Sequence, residues 1–76
     1  MKIPRDLDAT ELIKVLKKLG YQVTRQVGSH IRVTTTLNGV NHITIPNHKP
    51  LRIGTLNSIL NSIAEHHNIS KEDILK

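Results

Sequence analysis

Apolar residues recur at Leu12, Val15, Leu16 and Leu19, at i, i+3, i+4 and i+7, so they line one face of a helix while Lys14, Lys17 and Lys18 fall mostly off that stripe. The spacing predicts a helix over about 9–19. Asp8, with Glu11 three residues on, has the form of a capping box, and Gly20 is a natural stop. After Gly20 the period drops to two. Tyr21, Val23 and Arg25 alternate with Gln22, Thr24 and Gln26; beyond Gly28-Ser29, Ile31, Val33 and Thr35 alternate with His30, Arg32 and Thr34. These are two strands of a hairpin. Asn38-Gly39 marks a second tight turn, and His42-Ile43-Thr44-Ile45 a third strand that Pro46 ends.

Side-chain parity divides this sheet chemically. Ile31, Val33, Ile43 and Ile45 must share the buried face, which leaves His30, Arg32, His42 and Thr44 together on the opposite, polar one. Strict alternation would turn Arg25 inward, so a bulge near Val27, or the end of the strand, has to release it. A proline-bounded basic loop, Asn47 to Ile53, then leads to a second helical stripe of Leu56, Ile59, Leu60, Ile63 and Ala64. Thr55 or Gly54 is the expected N-cap, which would put open helix N–H groups beside His48, Lys49 and Arg52 as an anion site. Ser70 with Asp73 predicts a short last turn over about 71–75. There is no internal repeat, low-complexity segment or linker, so residues 1–76 read as a single domain. Helix, three strands, helix, with both helices on one sheet face, is an α+β two-layer sandwich of α-β-β-β-α order, as in double-stranded-RNA-binding domains.

Composition narrows the partners. A 76-residue chain that is 37% hydrophobic, with Tyr21 as its one aromatic residue, can bury only a thin core. It has no cysteine, which excludes a disulfide framework and a thiolate zinc site and points to the cytoplasm. No apolar run approaches the roughly 20 residues of a membrane span, and the opening Met1–Asp6 lacks the apolar stretch of a signal peptide. Eleven Lys and Arg against six Asp and Glu give a net charge of +5, so the partners should be anionic. The cations are scattered over Lys14, Lys17, Lys18, Arg25, Arg32, Lys49 and Arg52 rather than gathered into one amphipathic membrane-binding segment. Nucleic acid or an acidic protein fits that distribution, against the plainer alternative of a basic surface kept for solubility.

Within this frame Gly28-Ser29-His30 is the stretch that carries chemistry. The glycine can take a positive φ and turn the chain sharply, which sets His30 at the rim of the sheet at the start of a strand. Histidine's ordinary pKa of about 6.5 suits it to proton transfer near neutral pH, although a histidine beside a turn is more often a solvated surface residue. His66 and His67 are adjacent on a helix and about 100° apart, with no His-x3-His pair, so they do not form a metal site and read as helix-end residues favoured by the C-terminal dipole. With a single aromatic ring, base stacking cannot be the main grip on RNA.

Leu16-Lys17-Lys18-Leu19-Gly20-Tyr21, then Arg25-Gln26-Val27-Gly28-Ser29-His30, Ile45-Pro46-Asn47-His48 and Gly54-Thr55-Leu56-Asn57-Ser58-Ile59-Leu60 together resemble the HicA, or YcfA-like, family of messenger-RNA interferase toxins. The resemblance spans about residues 9–65. It implies the double-stranded-RNA-binding fold, a toxin neutralised by a HicB antitoxin, and catalysis by His30 within Gly28-Ser29-His30. RNA supplies its own nucleophile, the 2′-hydroxyl, so one base and cations to hold the phosphate suffice without a metal or other cofactor. His30 is then the base, with Gly28, Ser29, Arg25, Arg32, His48, Lys49 and Arg52 as the expected RNA contacts and His48 or His42 as the general acid. The expected partners are messenger RNA and an acidic HicB-like antitoxin that covers His30. The reading from another class is a non-catalytic RNA-binding module or an inactive relative of the toxin.

Overall fold

The computed structural model describes residues 6–75; the opening residues on which the signal-peptide reading rests, 1–5, and Lys76 lie outside that range. The elements are α1 (Ala9–Leu16), a single 3-10 turn (Lys17–Leu19), β1 (Gln22–Val27), β2 (His30–Thr35), β3 (Asn41–Pro46), α2 (Ile53–His67) and α3 (Lys71–Leu75).

Helix α1 starts where the sequence says it should. The Glu11 N–H donates to Asp8 Oδ1 at 2.8 Å and the Asp8 N–H to Glu11 Oε1 at 3.1 Å, which satisfies two of the orphan donors of the first turn. The predicted helix over about 9–19 ends as an α-helix at Leu16 and tightens into the 3-10 turn before Gly20. Gly20 closes it in the left-handed region at φ 81°, where an added Cβ would lie 2.7 Å from Thr35 Oγ1 and 3.0 Å from Leu37, so only glycine fits this junction between helix and sheet.

The three strands form an antiparallel sheet in the order β1-β2-β3. Gly28, at φ 56°, occupies the first position of the two-residue turn between β1 and β2, a conformation that favours glycine there. Asn38 and Gly39, both at positive φ, turn the chain between β2 and β3. Ile31, Val33, Ile43 and Ile45 are buried on one face against Leu12 and Leu16 of α1 and Leu56, Leu60 and Ile63 of α2, with Tyr21 and Ile74 completing the core. The α+β sandwich, with its helices on one face, is therefore the observed architecture, compatible with the double-stranded-RNA-binding fold.

Three expectations are corrected. Helix α2 begins at Ile53 with Arg52 in the extended N-cap position and no side-chain cap, so neither Thr55 nor Gly54 caps it. The buried Leu51, whose N–H donates to the Leu7 carbonyl at 2.9 Å, pins the loop and fixes the helix start earlier than side-chain chemistry suggests. The bulge that frees Arg25 lies between Val23 and Arg25 rather than near Val27. Finally, all six residues of β1 are exposed, and among the described residues β1 is an uncovered edge.

Candidate functional site

The bulge determines what the open face of the sheet can do. Thr24 is the extra residue; past it Arg25 pairs with Arg32 and Val27 with His30. Because cross-strand partners share a face, Arg25 is turned away from the core onto the surface that carries Arg32 and His30. The open face has three rows across the strands: Val27–His30–Pro46, then Arg25–Arg32–Thr44, then Gln22–Thr34–His42. Same-face rows are about 7 Å apart along a strand and neighbouring strands about 5 Å apart, so His30 and the two arginines fall within the span of one or two phosphodiester groups.

His30 is exposed and, among the described residues, makes no side-chain hydrogen bond, so its ring is free to meet a ligand. Arg32 is half-buried, and its Nε is shielded from solvent with no hydrogen-bond partner. Arg25 and Arg32, paired across the strands, together present guanidinium donors to an anion on this face. The charge distribution favours such an anion. All six carboxylates lie at Asp6, Asp8, Glu11, Glu65, Glu72 and Asp73, so nothing between residues 12 and 64 offsets Arg25, Arg32, Lys49 and Arg52. That gap was visible in the sequence and is a sharper signal than the net charge.

The loop after β3 joins the site through its backbone. The Asn47 N–H donates to the Ser29 carbonyl at 2.6 Å and the His48 N–H to the Pro46 carbonyl at 2.9 Å, which stitches the loop to the turn that precedes His30. His48, Lys49 and Arg52 are exposed along this flank, next to the uncapped start of α2. The structure thus brings together Gly28, Ser29, His30, Arg25, Arg32 and the His48 loop.

It does not bring in His42. His42 faces Thr34, four positions from His30, which separates them by about 13 Å along the strand. His42 instead ends a polar chain in which Thr24 Oγ1 and Thr34 Oγ1 lie 2.8 Å apart and Thr34 Oγ1 lies 2.8 Å from His42 Nδ1. As the acid for a bond whose base is His30, it is out of reach.

The two helix-end histidines turn out to be structural clamps. Two carbonyls, of Leu37 at 3.0 Å and Gly39 at 3.1 Å, lie within reach of His66 Nε2, which therefore donates to them. His67 is 8% exposed; the Asn38 amide nitrogen donates to its Nδ1 at 3.2 Å, which leaves Nε2–H to donate to the Tyr21 hydroxyl at 3.1 Å. That hydroxyl also accepts from Asn41 Nδ2 at 2.6 Å. Burial, with the neighbouring His66 second, pushes the His67 imidazole below its ordinary value, and burial raises the Tyr21 phenol against the opposing pull of Asn41. Among the described residues no group of three or more His, Cys, Asp or Glu side chains could hold a metal ion, and no helix is long and apolar enough to cross a membrane.

A family model described as the HicA toxin of bacterial toxin–antitoxin systems matches residues 9–64, which takes in α1, the whole sheet and most of α2. No curated protein and no solved structure matches the chain.

Proposed function

The chain belongs to the HicA toxin family, and on that premise we propose that residues 1–76 form one toxin domain that cleaves messenger RNA on the open face of its sheet. Family membership implies a HicB antitoxin partner. The observation that carries the catalytic reading is the row-by-row placement of His30 beside the Arg25–Arg32 pair on a surface without carboxylates.

In this reading Arg25 and Arg32 hold the scissile phosphate and take up the charge that builds on its oxygens in the transition state. The His30 imidazole removes the proton of the adjacent 2′-hydroxyl. The 2′-oxygen forms a bond to phosphorus while the bond from phosphorus to the 5′-oxygen breaks, leaving a 2′,3′-cyclic phosphate and a 5′-hydroxyl. His48, the residue after Asn47, whose N–H ties the loop to the Ser29 carbonyl, protonates the leaving oxygen. Gly28 and Ser29 let the RNA backbone approach closely, Lys49 and Arg52 carry it past the start of α2, and no metal takes part. The toxin acts in the cytoplasm, where its message substrates are.

Incubating the purified chain with a defined single-stranded RNA in EDTA tests this. Cleavage that yields cyclic-phosphate ends and stops when the nucleotide 5′ of the cut is made 2′-deoxy is the expected result. Binding without cleavage would make the chain an RNA-binding module, and cleavage of the deoxy-substituted strand would require a different nucleophile.

A further inference from the structure

Among the described residues, nothing covers the edge strand β1. All six of its residues are exposed, and among the described residues no strand lies on its outer side. Its core-side face shows Val23, 51% exposed, and Gln26, while Val27, 58% exposed, sits on the open face beside His30. Where β1 begins, a groove of about 510 Å³ runs between Lys17, Gly20, Tyr21, Gln22 and Val23. Exposed edge strands are normally blunted by charge, proline or a covering element. Here the core-side face has no charge of its own, and the only charged residue of the strand, Arg25, points to the other face.

We propose that β1 and this groove are the docking edge for an extended, acidic segment of the antitoxin, which adds to the sheet as a fourth strand. The inference rests on the reading of this chain as an antitoxin-neutralised toxin and says where and how the partner is held. Closing a two-residue turn makes Val27 and His30 the hydrogen-bonded pair, so Gln26 directs its N–H and C=O outward, ready for a new strand. Alternate side chains of the added strand fall on opposite faces. Those on the core side lie over Val23 and into the groove, and those on the other side meet Arg25 and Val27.

Charge decides the occupant. Lys17 at the groove and Arg25 on the open face present a cation on each side of the edge, so an acidic partner gains on both faces. A second copy of this chain paired antiparallel through β1 would instead bring the two Arg25 side chains together. RNA has no amide ladder to match the edge. Because the added strand would lie about 10 Å from β2, it anchors the partner and takes Arg25 from the phosphate without itself covering His30.

The test uses the full-length chain and the HicB-type antitoxin encoded with it. Hydrogen exchange of the complex should show new protection over 22–27. Gln26→Pro, which removes an outward N–H, and Val23→Asp, which puts a carboxylate in the groove, should each weaken the complex at least tenfold. Both variants should melt within a few degrees of the parent and cleave RNA at the parent rate. If one variant does not fold, the other and the exchange map carry the test. Parent-like affinity in a folded variant, or protection confined to 30–32 and 47–52, overturns the edge-strand mode. Failure of the unaltered chain to bind the antitoxin at all counts instead against the toxin–antitoxin reading on which this inference rests.

Discussion

Replacing Tyr21 by phenylalanine removes one oxygen from the interior and leaves two donors without an acceptor. The ring is fully buried, and its hydroxyl accepts from Asn41 Nδ2 at 2.6 Å and from His67 Nε2 at 3.1 Å. A buried donor stripped of its partner costs about 1–3 kcal/mol. Asn41 is only half-buried and regains water, whereas His67 is nearly enclosed, so about 2 kcal/mol is expected for the pair. For a domain whose thin core supplies on the order of 3–5 kcal/mol, that is a large fraction. At about 4–8 °C per kcal/mol for a chain of this size, the melting temperature should fall by roughly 8–16 °C. Thermal and urea unfolding at pH 7.5 measure it, and an unchanged urea slope would show that the unfolded state is not what changed. A drop under about 2 °C would mean that the hydroxyl is dispensable and that His67 does not clamp the turn between β2 and β3 through it.

Protonation should act on the same cluster, because His67 accepts from the Asn38 amide through Nδ1 and a proton there would set one donor against another. With the folded pKa pushed below its ordinary 6.5, the unfolded chain binds the proton more readily; stability is full above about pH 6.5 and falls as pH drops below it, a dependence that His67→Gln should flatten in urea melts. Arg32→Ala should weaken RNA binding across sequences and reduce the slope of log K against log[salt] by about 0.7, the signature of one lost phosphate contact on a single strand, as binding titrations at several salt concentrations will show. In the same cleavage assay His42→Ala should stay within a few-fold of the parent while His48→Ala falls by about 10²-fold or more, a contrast set by the sheet register and the stitched loop. Equal effects at the two positions would break the assignment of the acid.

Much of this layout is legible in the residues themselves. The Asp8–Glu11 box, the period-two strands and the Asn38-Gly39 turn are local signals, and local geometry obeyed them. What escaped depends on contacts that sequence spacing does not encode. Period two says which side chains share a face but not whether a helix lies over that face, so Val23 reads as core and is an exposed edge residue. The bulge at Thr24 brings its hydroxyl to Thr34 on the open face, a cross-strand contact rather than a pattern. His66 and His67 read as ordinary helix-end residues because the carbonyls and side chains they hold lie 27 to 46 residues away in sequence. The start of α2 differs from the expected Thr55 or Gly54 cap for a similar reason: Leu51, tied to Leu7, fixes it in place of a capping side chain. For the site, the position of His30 and the parity of Arg32 were readable. The approach of Arg25 needed the bulge, and the distance that removes His42 needed the register.

The most direct test of the central claim is the rate at which the purified chain and its His30→Ala variant cut the same single-stranded RNA in EDTA, with both proteins shown to be folded by their melting curves. His30 is exposed and buries little, so the variant should melt close to the parent. Loss of the general base should lower the rate by about 10²–10⁴-fold. A folded His30→Ala protein that cuts RNA at the parent rate would contradict the account.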